Sequence, residues 1–287
     1  MSASQEERLD SVTEIKRLGI IAGGGELPFV LLAACESLGI EPFIIAFEGH
    51  TNSSLCEGYA HIWTRLGAVD KILKTLRAHD IEDIVMIGSI RRPSMKELRP
   101  DLKAAAFFAK YGAKALGDDG LLSALKSFLG DEGVSVHGVH KFSSNLLTPA
   151  GSVGAIEPQD EDVLNIRRGI EILQGMGQLD VGQSVIVQEG LVLGVEAIEG
   201  TDALIERCYN LHREGRGGVL IKLCKPAQDQ DLDLPTLGPN TVELAARYGL
   251  SGIAVHQEHS LLLKREEVAE IANKHKLFVI GINPSTY

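Results

Sequence analysis

From residue 18 onward, short apolar runs alternate with amphipathic stretches, a rhythm that predicts strands and helices in turn. Residues 18–22 (LGIIA) form an apolar run closed by Gly23, Gly24 and Gly25. The stretch to about Leu38 is amphipathic, with Pro28 in its first turn, so strand, glycine turn and helix follow one another. Residues 42–47 and 83–88 read as two further buried strands, separated by a helical stripe at Val69, Ile72, Leu73 and Leu76. Helices are expected over 102–116 and 121–129, and VSVHGV at 134–139 closes this half. Such alternation implies right-handed crossovers and a mainly parallel sheet, which receives ligands at the carboxyl ends of its strands. Gly23, Gly24, Gly25, Glu48, residues 89–93 and His140 fall at such ends and should share one rim.

A loop-rich join at 142–159, marked by Pro149, Gly151, Gly154 and Pro158, leads into a different rhythm. A helix is expected over 160–174, then a hairpin over 184–197 turning at Glu189-Gly190. Thr201 is placed to cap a helix with apolar positions Leu204, Ile205, Cys208 and Leu211. Strands at 217–225, 252–255, 261–263 and 277–282, with helices at 241–248 and 265–276, complete the pattern. No internal repeat or low-complexity segment interrupts it.

Composition narrows the class. A chain of 287 residues with 44% hydrophobic and 23% charged residues is a globular protein of one large or two ordinary domains. No run reaches the ~18 apolar residues that span a bilayer. Residues 1–14 lack a signal-peptide core and read as a frayed leader, so the expected location is the cytoplasm. A net charge of -11 argues against a nucleic-acid partner, which requires a basic face. Cys35, Cys56, Cys208 and Cys224 show no metal-ligand spacing and read as reduced cysteines in or near the core.

Several motifs carry candidate chemistry, each beside a plainer alternative. Gly23, Gly24 and Gly25 let the backbone approach a phosphate, or form only a tight turn; Pro28 stands where a dinucleotide fingerprint needs its third glycine. Arg91 and Arg92 follow a buried strand and suit phosphate oxygens, or are solvated. Asp118 and Asp119 can cap a helix or contact a ribose or base. His137 and His140 lack a partner at metal spacing.

The acidic groups matter most. Strand alternation turns Glu196 away from Leu193, Val195 and Ala197, and Glu199 and Asp202 stand at the next helix start. Asp229, Asp231 and Asp233 alternate and would share a face if extended. Magnesium takes a few carboxylates with water and phosphate oxygens, and Lys222 and Lys225 can meet the remaining phosphate charge. The plainer alternative is a solvated acidic loop with helix caps.

Taken in order, LGIIAGGGELP, GSIRRP, GDDGLL, LTPAGSVG, the block from Leu179 through EGLVLGVEAIEGTDALI, KPAQDQDLDLPTLG, GLSGIAV and LFVIGINP resemble the bacterial UDP-2,3-diacylglucosamine pyrophosphatases of lipid A biosynthesis. This is the branch formerly known only as a domain of unknown function. The resemblance covers nearly all of the chain after residue 17. It implies one domain holding UDP, another holding the diacylglucosamine phosphate, and magnesium-assisted hydrolysis to UMP and 2,3-diacylglucosamine 1-phosphate. The family's essential aspartate precedes its L-P-T/V motif, which here is Asp233. One departure is Asp231, whose place in the family often holds a basic residue.

The expected fold is α/β with an N-terminal Rossmann-like, mainly parallel domain over 15–141 and a C-terminal mixed α/β domain over 142–287. With the resemblance, Gly23, Gly24, Gly25 and Arg92 are expected to hold the nucleotide, supported by Asp118 or Asp119. Thr201, Asp202, Lys222 and Gln228 are expected to border the cleaved bond. Asp233 is expected to position magnesium or activate water, helped by Glu196 or Glu199, with Asp202 and Lys222 also catalytic. A groove near Leu191, Leu193 and Leu204 would cover the acyl chains. The expected partner is a lipid-linked nucleotide sugar, with at most transient inner-membrane contact; a homodimer is left open. The alternatives are a nucleotide-dependent oxidoreductase, from the glycine turn and Glu48, and a non-catalytic nucleotide-sugar binding protein.

Overall fold

The computed structural model describes residue 12 and residues 14–91, 98–112, 118–226 and 228–287, without the side chains of Asp118 and Asp119. The chain divides into two compact units. The first holds the described residues up to Ser144 together with Asp229–Asp233; the second holds Asn145–Gln228 and Leu234–Tyr287.

In the first unit five parallel strands, β1 (Arg17–Ala22), β2 (Glu41–Phe47), β3 (Ala60–Thr64), β4 (Asp83–Ile87) and β5 (Ser135–Val136), lie in the order β3-β2-β1-β4-β5. The central strands are apolar runs because a parallel sheet is covered on both faces. Helix α1 (Leu27–Leu38), with Pro28 in its first turn, buries Leu31, Leu32 and Cys35. Helices α2 (Val69–Ala78), α3 (Leu102–Tyr111) and α4 (Asp118–Asp131) contribute Ile72, Leu73, Leu76, Phe107 and Phe128 to a core with Phe43, Ile45, Phe47 and Ile84. The strand order reverses between β1 and β4, which places the ligand crevice of such a sheet outside their carboxyl ends. Strand β3 departs from the expected elements: its sequence AHIWT pairs at the sheet edge, where half-exposed positions leave no apolar run to read.

The second unit is built on a six-stranded mixed sheet. Helix α5 (Asp160–Gly177) precedes the hairpin of β7 (Ser184–Gln188) and β8 (Leu191–Val195), with Glu189 at φ 52° and Gly190 at φ 73° in its turn. Helix α6 (Thr201–Cys208), β9 (Val219–Lys222), α7 (Pro239–Arg247), β11 (Gly252–His256), α8 (Arg265–His275) and β13 (Phe278–Ile282) follow. With β6 (Gly151–Ser152), the order is β6-β13-β11-β9-β7-β8; short strands β10 (Thr236–Leu237) and β12 (Leu261–Leu262) pair separately.

Strands β9, β11 and β13 are parallel, whereas β7 is antiparallel to both β8 and β9. One sheet face packs on α6, α7 and α8 through Leu204, Ile205, Val242 and Val268; the other packs on α5 through Ile166, Ile170 and Leu173.

Two expectations change here. The register between β7 and β8 shifts: Val192 pairs with Val187, but Gly194 pairs with Ile186. Leu193 is the extra residue of this bulge, so Leu193 and Val195 pack on different cores rather than sharing a face. Leu204 is wholly buried between α6 and the sheet, a core residue rather than the wall of an acyl groove.

Candidate functional site

The antiparallel placement of β7 gathers polar side chains at one rim of the second sheet. Ser184 opens β7 opposite Lys222, the last residue of β9, and its carbonyl accepts from the Glu196 amide just past β8 at 2.8 Å. The chain then turns through Gly200, at φ 83°, which only glycine adopts readily, and Thr201 begins α6.

Thr201 does not cap the helix as the sequence suggested. Gly200 holds the N-cap position without a side-chain hydrogen bond, and the Thr201 hydroxyl turns inward. It donates to Glu196 Oε1 at 3.1 Å and accepts from Lys222 Nζ at 2.9 Å, with Ser184 Oγ at 3.3 Å. All four residues are buried. Glu196 Oε2 is buried without a hydrogen-bond partner. A buried ammonium, a hydroxyl and a helix start without a side-chain cap are the parts of a phosphate-binding surface. The open carboxylate oxygen can accept a proton or take part in binding a cation.

The neighbouring acidic groups are engaged elsewhere. Glu199 receives Arg207 Nη2 on Oε1 at 2.8 Å and the Ala197 amide on Oε2 at 3.1 Å. Its own backbone amide and then Arg207 hold its carboxyl below the ordinary value. Asp202 accepts from Asn240 Nδ2 and Thr241 Oγ1, both at 2.8 Å, and so ties the starts of α6 and α7 together. Lys225 pairs with Asp180 at 2.5 Å, and Gln228 Oε1 accepts from the Lys225 amide at 3.0 Å.

In the first unit the glycine turn lies at the reversal of strand order. Gly23 N donates to Ile87 O at 2.7 Å, and Gly24 and Ser89 exchange backbone hydrogen bonds at 2.8 and 2.9 Å. A Cβ on Gly23 would come within 2.6 Å of the Ser89 carbonyl, so glycine is needed for this close approach. The amides of Gly23 and Gly24 therefore close a bridge, and Gly25, at φ 89°, turns the chain toward α1. Thr51 Oγ1 donates to Ala22 O at 2.5 Å and draws the loop after β2 to the same rim. Arg92 lies outside the described residues, as do the side chains of Asp118 and Asp119.

The aspartates at 229, 231 and 233 are not extended. Asp229 O accepts from the amides of Leu232 and Asp233 at 3.0 and 3.2 Å, and Asp229 Oδ1 accepts from the Asp231 amide at 3.0 Å, which makes a turn. Asp229 and Asp231 face Lys126, and Asp231 also faces Lys141. Asp233 is exposed at the end of this turn. Within neither unit do the described residues gather three His, Cys, Asp or Glu side chains as a metal-ligand set.

Residues 17–146 match the LpxI N-terminal domain and residues 149–280 match the LpxI C-terminal domain. The UDP-2,3-diacylglucosamine pyrophosphatase LpxI of Caulobacter vibrioides is 35% identical over 277 residues, spanning 94% of this chain and 99% of that protein. The chain belongs to the LpxI family. Solved structures offer only distant likeness. The biotin carboxylase subunit of pyruvate carboxylase is 11% identical over 60% of this chain and 34% of its own, with a TM-score of 0.24. The biotin carboxylase domain of the Hydrogenobacter thermophilus 2-oxoglutarate carboxylase is 14% identical over 68% and 40%, at 0.22. Overlap this slight supports nothing about fold or function.

Within the LpxI C-terminal domain, the geometry separates residues that the sequence had grouped. Glu196, Thr201 and Lys222 come together, while Glu199 and Asp202 brace the helix that carries Thr201. Ser184 joins this set unanticipated. Only the strand register, which pairs it with Lys222, reveals it.

Proposed function

We propose that this chain hydrolyses the pyrophosphate of UDP-2,3-diacylglucosamine to UMP and 2,3-diacylglucosamine 1-phosphate, a step of lipid A biosynthesis. The observation that carries this reading is the buried Lys222–Thr201–Glu196 assembly at the start of α6, in a member of the LpxI family. Lys222 and the first amides of α6 receive phosphate oxygens, and the charge they offer grows in value as negative charge develops in the transition state. The nucleotide belongs to the crevice beside Gly25 and Ser89.

Water bonds to one phosphorus, the bond from that phosphorus to the bridging oxygen breaks, and the water's proton passes to a carboxylate. Asp233, immediately before Leu234-Pro235-Thr236, is the carboxylate assigned to that water. Glu196 is the residue of the second unit that would help to hold magnesium, since its buried Oε2 meets no hydrogen-bond donor and one or two carboxylates suffice beside phosphate oxygens. When bound, the ion would neutralise phosphate charge and lower the pKa of water. Glu199 would join Glu196 by releasing Arg207. Among the described residues no helix is long and apolar enough to cross a membrane. Because its acyl chains reside in a bilayer, the substrate is met by transient contact with the bilayer surface.

Purified protein incubated with UDP-2,3-diacylglucosamine and magnesium should release UMP and the diacyl sugar phosphate in equal amounts. A folded preparation that binds the substrate and releases no UMP would overturn the reading. A thermal shift with UMP and none with NAD separates it from an oxidoreductase.

A further inference from the structure

The turn Asp229–Asp233 is fastened more heavily than a connecting loop requires. Lys126 donates to Asp229 Oδ2 at 2.7 Å and to Asp231 Oδ2 at 3.1 Å. Lys141 pairs with Asp231 Oδ1 at 2.7 Å, and the Gly138 amide donates to the same oxygen at 3.0 Å. Leu232 packs on the apolar core of the first unit. Gly138 lies so close to the Gln230 carbonyl that a Cβ would come within 2.9 Å of it.

Withdrawing two ammonium groups and two carboxylates partly from water costs free energy, which a loop without positional demands avoids. The amide of Asp233 is the last one held by the turn, through its hydrogen bond to Asp229 O. We propose that Asp231 is a positioning residue for the hydrolysis: its clasp to Lys126 and Lys141 fixes the turn that aims the Asp233 carboxylate. This rests on the role given to Asp233 above. Asp231 itself touches no reacting atom, because both of its oxygens are occupied within the first unit.

The test uses the full chain with Asp231→Asn, Asp231→Glu and Asp233→Ala. It measures kcat and KM on UDP-2,3-diacylglucosamine with magnesium, melting temperature, and hydrogen exchange at the Leu232 and Asp233 amides. Asp231→Asn should lower kcat about ten- to a hundredfold with KM within about threefold, the size expected when a catalytic group is misaimed. Exchange at the Asp233 amide should accelerate at least about tenfold. Asp231→Glu, which restores the charge, should recover most of the lost kcat. Asp233→Ala should be at least as slow, with exchange at Leu232 unchanged. Wild-type kcat in Asp231→Asn beside an inactive Asp233→Ala overturns the positioning role and leaves the proposed function standing. A fully active Asp233→Ala instead removes the role of Asp233, and this inference with it. A lower melting temperature in Asp231→Asn with unchanged kcat shows a purely structural clasp and also overturns the proposal.

Discussion

The two units treat the carboxylates they draw out of water differently, partly buried in the first and buried in the second. In the first, Asp229 and Asp231 are met by two lysines and a backbone amide. In the second, Glu196 is as deeply placed as a core residue, yet one of its oxygens meets no donor. The second unit also contains its own control. Asp162 is fully buried on α5 and accepts from Arg216, Ser251 Oγ and the Gln159 amide. Buried charge that serves only structure is saturated with donors. The Glu196 oxygen without a donor departs from that pattern, and the proposed function uses it as bonding capacity for a bound group.

Replacing each carboxylate breaks or sharpens this contrast. Asp162→Ala should cost about 3–5 kcal/mol, because Arg216 loses its buried partner. Urea unfolding would show this as a fall in the midpoint without a change in slope. Glu196→Gln should do the reverse: stability held or raised slightly, with kcat reduced about tenfold or more. If Glu196→Gln destabilised the protein as strongly as Asp162→Ala, the two carboxylates would be equally structural and the contrast would fail.

A smaller effect concerns His256 at the carboxyl end of β11. Burial, then the charge of His259 with its ring 4.6 Å away, lowers the His256 pKa to about 4. The unfolded chain takes up this proton near the ordinary value of 6.5, before the folded protein does. Stability contributed by neutral His256 is present above that value and is lost as pH falls toward 4. The urea midpoint should therefore drop between pH 7 and 4.5 by more in the wild type than in His256→Gln.

The parallel strands were legible because full burial writes them as apolar runs such as PFIIAF and GIAV. Strand β3 was not, since an edge strand with half-exposed positions carries no such run. The bulge at Leu193 escaped for a related reason: one extra residue reverses which face a side chain takes, and nothing in LVLGV announces it. Glu196, Thr201 and Lys222 were legible as residue types, but their union depends on the register between β7 and β9. Thr201 looked like a cap because threonine before an apolar helix usually is one. Gly200 takes that position, which frees the hydroxyl for Lys222 and Glu196. The alternating aspartates would have shared a face only in an extended segment. What bends them is contact with Lys126 and Lys141, far away in sequence.

The account turns on whether the open assembly at the start of α6 receives a phosphate. Isothermal titration of 2,3-diacylglucosamine 1-phosphate into the wild type and Lys222→Met measures this without turnover. Loss of a charge-assisted hydrogen bond, worth about 1.5–3 kcal/mol, should weaken binding roughly ten- to a hundredfold, with UMP affinity unchanged. Equal affinity of the two proteins for the lipid phosphate would contradict the account.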